Sequence, residues 1–205
     1  MPVSRRLFLL SALALPLGAC ASTYATSFSS GPGADVTQHW HVKAVHVTVP
    51  ASLTVSEEAS LVPQADIVWR EDDPFGDRRA QVATLLQKAI AKAACDLHGH
   101  QPVTLEVTVT RFHALTMQAE ALLSDAGVHN IQFDISAVDG KTGAVISGPI
   151  HITADLPALS GTAMEAARAK GETQKSQISA HVTATIAAWL GTGPDNRGTF
   201  TRLGD

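Results

Sequence analysis

The feature that most limits what this chain can fold into is a change of apolar period along it. Val82, Leu85, Leu86, Ala89, Ile90, Ala93, Ala94 and Leu97 recur at steps of three and four. That spacing makes one face of an α-helix, with Arg79, Gln87, Lys88 and Lys92 largely away from it. The next stretch switches to period two: Val103, Leu105, Val107 and Val109 alternate with Thr104, Glu106, Thr108 and Thr110. Ile131, Phe133 and Ile135 repeat the pattern against Asn130, Gln132, Asp134 and Ser136. Alternation of this kind marks a half-buried strand. A helix stripe and one sheet face must bury each other, so the chain is α+β.

The flanks fill in the rest. Residues 41–49 alternate, with His41, Lys43, Val45, Val47 and Val49 on one side and Val42, Ala44, His46 and Thr48 on the other. Leu53-Thr54-Val55 and Ile67-Val68-Trp69 are short extended candidates. Asp77 is placed to cap the long helix and Gly99 to end it. Asp139-Gly140-Lys141-Thr142-Gly143 reads as a hairpin turn before Ala144-Val145-Ile146. Gly148-Pro149 is expected to interrupt that strand. Residues 114–126 fit either a helical turn or an extended loop.

A last helix is expected from Thr162-Ala163-Met164-Glu165, which has capping-box spacing, with a break near Gly171. Ile178, Val182, Ile186, Trp189 and Leu190 form its stripe, and Gly191 closes it. The expected fold is an antiparallel sheet of about four strands with two long helices packed on one face, in the order strand, helix, three strands, helix. Residues 39–191 are then a single domain, residues 20–38 a Ser/Thr/Gly/Ala-rich tether, and residues 192–205 a frayed polar tail.

Residues 1–19 have the form of an export signal: basic Arg5-Arg6, an apolar run from Leu7, then small residues. The run is shorter than the roughly 20 apolar residues needed to span a bilayer. Leu17-Gly18-Ala19-Cys20 resembles the lipobox of bacterial lipoproteins, in which the cysteine thiol accepts diacylglycerol. The resemblance implies that Cys20 becomes the lipid-bearing first residue of the mature protein and holds it to the bilayer through acyl chains. Arg5 and Arg6, followed by Leu7-Phe8-Leu9, also resemble a twin-arginine export signal, the alternative being the Sec route. Ala21 rather than aspartate after the cysteine implies sorting to the periplasmic side of the outer membrane.

Of the chain's 15 lysines and arginines, Arg5 and Arg6 lie in the signal. Beyond residue 19, 13 therefore face 19 acidic residues, a net charge of −6. A mildly acidic chain is a poor match for nucleic acid, and for adhesion to anionic lipid by charge alone. With Cys20 lipidated, Cys95 stands alone and is expected to pack as a buried small hydrophobe.

The lipobox, the strand and helix, the strand meander with its Asp-x-x-Thr-Gly hairpin and the closing helix together resemble small Gram-negative envelope lipoproteins. The likeness is to families of unknown function and, more remotely, to ABC-type transport auxiliary lipoproteins. It implies an envelope location and assigns no site residue.

No constellation of catalytic residues stands out. Nine histidines include His39 and His41 on one strand face and His98 and His100 around Gly99, without the third ligand and supporting shell a metal needs. Ser160-Gly161 lacks the nucleophile-elbow pattern, and Asp72 and Asp73 are explained by a turn at Pro74. No phosphate loop, dinucleotide fingerprint or Cys-x-x-Cys occurs. The chain is expected to need no cofactor and no metal, and to be no enzyme; a converging set of buried titratable groups would favour one. Among Trp40, Trp69, Phe75, Phe112 and His113, the charged aromatic stretch Trp69-Arg70 to Phe75 is the candidate partner contact. The reading is a membrane-anchored interaction or assembly module whose partner is an envelope protein. The alternative is a carrier or sensor of a small apolar ligand held between sheet and helices.

Overall fold

Both apolar periods fold as their spacing requires, but the sheet they build is larger than the alternation alone implies. The computed structural model describes residues 21–70, 73–124 and 126–203. In chain order the elements are β1 (Ala21–Phe28), α1 (Ala34–Thr37), β2 (Trp40–Thr48), β3 (Val55–Ser56), β4 (Ile67–Val68), α2 (Arg78–Ala93) and β5 (Gln101–His113). There follow α3 (Met117–Leu122), β6 (Val128–Asp139), β7 (Val145–Ala154), β8 (Leu156–Pro157), α4 (Gly161–Arg168), α5 (Gln174–Leu190) and β9 (Gly198–Leu203). The described residues thus form nine strands and five helices, not the expected four antiparallel strands and two long helices.

The sheet runs β3-β4-β5-β6-β7-β1-β9, with β2 also paired to β5 and β8 to β6. It is mixed. The meander β5-β6-β7 is antiparallel, whereas β2 and β4 both pair with β5 in parallel. The reason lies in α2. A helix between two strands of one sheet carries the chain back along its length, so the next strand enters in the same direction as the first.

Strand β1 overturns the expected tether. It is inserted between β7 and β9, with Thr26 opposite Ala154 and Ala21 opposite Leu203. Pairing with β9 over Ala21–Thr26 and with β7 over Thr26–Phe28 holds it in the sheet without an apolar alternation, and its threonines suit a pleated surface. After it, the backbone at Gly31 crosses the end of α5 so closely that a Cβ there would stand 1.9 Å from the Trp189 carbonyl oxygen. Thr37 then donates to the Leu190 carbonyl at 2.7 Å, tying α1 to the same helix end. The expected frayed tail is corrected in the same way, because β9 closes the far edge and stacks Phe200 on Tyr24 with ring centroids 5.7 Å apart.

Helices α2 and α5 lie side by side against the sheet, and Thr183 of α5 donates to the Ala89 carbonyl of α2 at 3.0 Å. Their stripes, from Val82 to Ile90 and from Ile178 to Leu190, meet Val103, Leu105, Val107, Val109, Ile131, Phe133 and Ile135 in one apolar core. Asp77 caps α2 by accepting from the Ala80 amide. The expected closing helix is two: a break at Gly171, with φ of +82°, separates α4 from α5. The capping box belongs to Thr173 and Ser176, while Ser160 ahead of α4 makes no side-chain cap. Residues 114–126 contain α3, capped by Thr116.

Two register shifts decide which side chains face outward. In β2 the shift between Val42 and Ala44 puts Val42 and Val47 with Trp40 and Val45 against the core, reversing the simple alternation. In β5 the shift between Val109 and Arg111 turns Phe112 inward and leaves Arg111 half-exposed. Cys95 also departs from expectation: it follows the last turn of α2 and is exposed.

Candidate functional site

Cys20, Arg5 and Arg6, the lipidation and export candidates, lie outside the described residues. The candidate partner contact is dispersed. Trp69 is fully buried, meets Phe112 edge-on at 5.6 Å, and donates its indole N–H to Asp73 at 2.7 Å. It belongs to the core and cannot anchor a partner, because the strand preceding the loop points it inward beside Ile67 and Val68. Arg70 is half-buried and donates to the Glu57 carbonyl at 2.9 Å. Phe75 is exposed, its ring 5.8 Å from the Arg78 guanidinium. Asp73 also accepts from Lys175 at 2.6 Å; burial raises its carboxyl, and the bonds from Lys175 and Trp69 outweigh that and hold it below its ordinary value. The stretch is mainly a structural joint between β4, α2 and α5.

A cleft of about 680 Å³ instead opens at the end of the sheet where β5 finishes and β6 begins. Its polar wall is Arg111, His113, Asn130 and Gln132, presented by β5 and β6, with Tyr24 of β1 beside them. Its apolar wall comes from loops, chiefly Leu61, Val62, Pro63, Leu115 and Leu123, with Val128 at the start of β6. Thr116 holds the two loops together by donating to the Ser60 carbonyl at 2.8 Å while its oxygen caps α3. Arg111 lies 3.1 Å from the His113 ring. The cleft is therefore amphipathic, with cationic and amide groups on one side and aliphatic ones on the other. It is not the space between sheet and helices where a ligand was expected; that space is filled core.

Behind the cleft lies a buried polar knot. Asp155 accepts at one carboxyl oxygen from the Asn130 side chain (2.8 Å) and the Ile131 amide (3.0 Å). Burial raises its pKa to about 6, against the pull of those hydrogen bonds and of Arg111. Thr26 donates its one hydroxyl proton to the Asp155 carbonyl at 3.0 Å, so the His181 Nε2 at 2.9 Å must be the donor to Thr26. His129 is fully buried, and burial, then the charges of His113 and His181, lower its pKa to about 3. Among the described residues, neither of its ring nitrogens has a hydrogen-bond partner. These are buried titratable groups, yet Asp155, His129 and His181 do not line the cleft. Asp155 is tied to the cleft wall through Asn130.

Of the other histidines, two pair with carboxylates. His46 pairs with Glu106 at 2.9 Å and His151 with Asp134 at 2.7 Å on the outer sheet face. Among the described residues no three of His, Cys, Asp and Glu gather as a metal site would need. Only His113 of the aromatic and histidine candidates reaches the cleft. Asn130 and Gln132 escape the period argument because they occupy polar positions of an ordinary strand, and Tyr24 because its stretch shows no alternation. One signal does mark Arg111: it takes the apolar parity of Val103 to Val109, with Phe112 on the polar parity, which a bulge resolves.

No curated protein matches this chain. In shape it is similar to a solved chain from Caulobacter crescentus CB15 assigned as a lipoprotein, with 19% identity over 55% of this chain and 86% of that one, at a TM-score of 0.33. It is similar also to a PelC dodecamer from Paraburkholderia phytofirmans, with 10% identity over 85% of this chain and 98% of that one, at a TM-score of 0.33. Likeness this loose carries no inference about function, and the resemblance to ABC-type transport auxiliary lipoproteins has no counterpart among these matches. The sequence match is of another kind: from Trp40 at the start of β2 through residue 205, the chain belongs to a family of unknown function, DUF6778.

Proposed function

We propose that the protein is a lipoprotein of the cell envelope, held at the periplasmic side of the outer membrane by acyl chains on Cys20, and that it works as a non-catalytic interaction or assembly module. One observation carries the binding role: exposed apolar side chains gather around the cleft, while the interior is filled. Leu61 and Val62 line it, and Met117 and Leu122 flank it in α3. Exposed apolar groups scattered singly need no explanation, but a group rimmed by polar residues marks a contact surface. The anchor reading is supported by the Leu17-Gly18-Ala19-Cys20 motif. No helix among the described residues is long and apolar enough to cross a membrane.

A photo-crosslinking residue in place of Leu122 tests the binding role in the intact envelope. Adducts with another envelope component are expected, and absence of any adduct would refute the surface. Intact-mass analysis of the membrane-extracted protein tests the anchor, which an unmodified Cys20 would overturn. Fractionation with the inner membrane would contradict the outer-membrane placement. A second reading, a carrier or sensor of a small apolar ligand, is favoured by the cleft volume, within the roughly 300–1,000 Å³ of small-molecule sites. Retention of a stoichiometric small molecule through purification would support that reading.

A further inference from the structure

We infer that the cleft end of the domain is a membrane-docking face, with Leu61, Val62, Met117 and Leu122 resting in the interfacial layer of the bilayer that carries the Cys20 acyl chains. The inference deepens the proposed function and rests on Cys20 being lipidated.

The direction of β1 is the first support. Across the sheet, Phe28 is level with Ile152 and Phe133, and Ser27 with Thr153, Gln132 and Arg111. Moving back along β1 toward Ala21 therefore moves toward the end where β5 finishes and the cleft opens. Cys20 is one peptide bond from Ala21. Tyr24, in the cleft wall, is three residues from Ala21, about 10 Å along β1 at ~3.3 Å per residue.

There is also no slack. From Ala21 to Thr26 β1 is paired with β9, and from Thr26 to Phe28 with β7. A flexible tether would let the domain stand off from the lipid in any orientation. A strand that begins at the residue after the anchor holds its own end of the sheet against the surface. Each interfacial layer of a bilayer is about 5–8 Å thick, so the cleft rim enters it with β1 tilted toward the surface rather than upright on it.

The chemistry of that end agrees. Among the described residues seven large apolar side chains are exposed, and four belong to the cleft region: Leu61 at 44%, Val62 at 43%, Met117 at 70% and Leu122 at 66%. Val36, Phe75 and Val145 are the other three, apart from one another in the chain. The mature chain is acidic, so charge does not draw it to anionic lipid; aliphatic contact beside an existing anchor does the work. The occupant is therefore lipid. A protein on this face would have to fit between the domain and the membrane holding it.

The test uses the full lipidated protein in vesicles of phosphatidylethanolamine and phosphatidylglycerol, with and without bromine on the acyl chains. Leu61→Trp and Met117→Trp place reporters at the rim, and Val145→Trp places one beside the 139–144 turn at the opposite end. The native Trp40, Trp69 and Trp189 are buried and supply a constant background. Both rim reporters should shift to the blue and lose most of their added emission to brominated lipid, at high salt as at low, while the Val145→Trp reporter should not. Rim reporters quenched no more than the Val145→Trp one, in protein whose mass confirms the lipid on Cys20, would overturn the docking face and leave the lipoprotein reading intact. An unmodified Cys20 would overturn the lipoprotein reading, and the docking face with it. A protein adduct in place of a lipid adduct from the Leu122 crosslinker would overturn the docking face alone.

Discussion

Replacing Asp155 by asparagine should change how stability depends on pH, by an amount the structure predicts. The Asp155 carboxyl loses its proton at about 6 in the folded protein, against 3.8 in the unfolded chain. Between those values the folded state still holds a proton that the unfolded state has released, so rising pH favours unfolding and Asp155 lowers stability across that window. Carried from pH 4 to pH 7, the effect is roughly 2–3 kcal/mol. Asparagine keeps the oxygen that accepts from Ile131 and Asn130 but has no proton to lose. Its amide nitrogen adds a mismatch of its own, which is the same at every pH and drops out of the comparison. His129 acts in the opposite sense: its unfolded value of 6.5 falls to about 3, so stability is lost as pH falls from 6.5 toward 3. That contribution is shared by both proteins and cancels in their difference. Urea unfolding at pH 4, 5, 6 and 7 measures the outcome. The stability of Asp155→Asn relative to the native protein should rise by roughly 2–3 kcal/mol from pH 4 to pH 7. A difference that stays flat, or grows toward acid, would refute the reasoning.

Other outcomes follow from the same geometry. Trp69→Ala should cost about 3–5 kcal/mol by cavity formation, seen as a lowered urea midpoint, and unchanged stability would remove Trp69 from the core. Thr173→Ala removes the hydroxyl of the α5 capping box and should cost about 1 kcal/mol in the same assay. Replacing Arg5 and Arg6 together by lysine keeps the charge but removes the guanidinium geometry, so export should fail if the twin-arginine route is used; normal export would indicate Sec.

How much of this was legible beforehand depends on which interactions form each element. The Asp77 cap of α2, the alternation in β5 and β6 and the turn at residues 139–143 are local properties found where the residues place them, as is the α2 stripe as far as Ala93; the helix stops there, short of Leu97 and Gly99. In that turn Asp139 accepts from the Lys141 and Thr142 amides and the Thr142 hydroxyl, so one side chain sets the geometry. The capping box was misplaced by eleven residues because Thr162 to Glu165 and Thr173 to Ser176 share a spacing, and only the chain path across Gly171 shows which one caps a long helix.

The cleft was not legible, because its walls come from β1, β5, β6 and two loops that approach only after the sheet has formed. Trp69 shows the same limit: charged neighbours suggested a loop surface, yet the parallel pairing of β4 with β5 carried it inward. By itself, then, the sequence determined the stripes of α2 and α5, the Asp77 cap and the meander, since each depends on side chains a few residues apart. Only the tertiary structure decided that Ser- and Thr-rich β1 and polar β9 are strands, that β2 joins β5 in parallel, and that the exposed aliphatic residues gather at the Ala21 end. Those outcomes rest on backbone hydrogen bonds to distant partners, which a strand forms whatever its side chains, so no local pattern announces them.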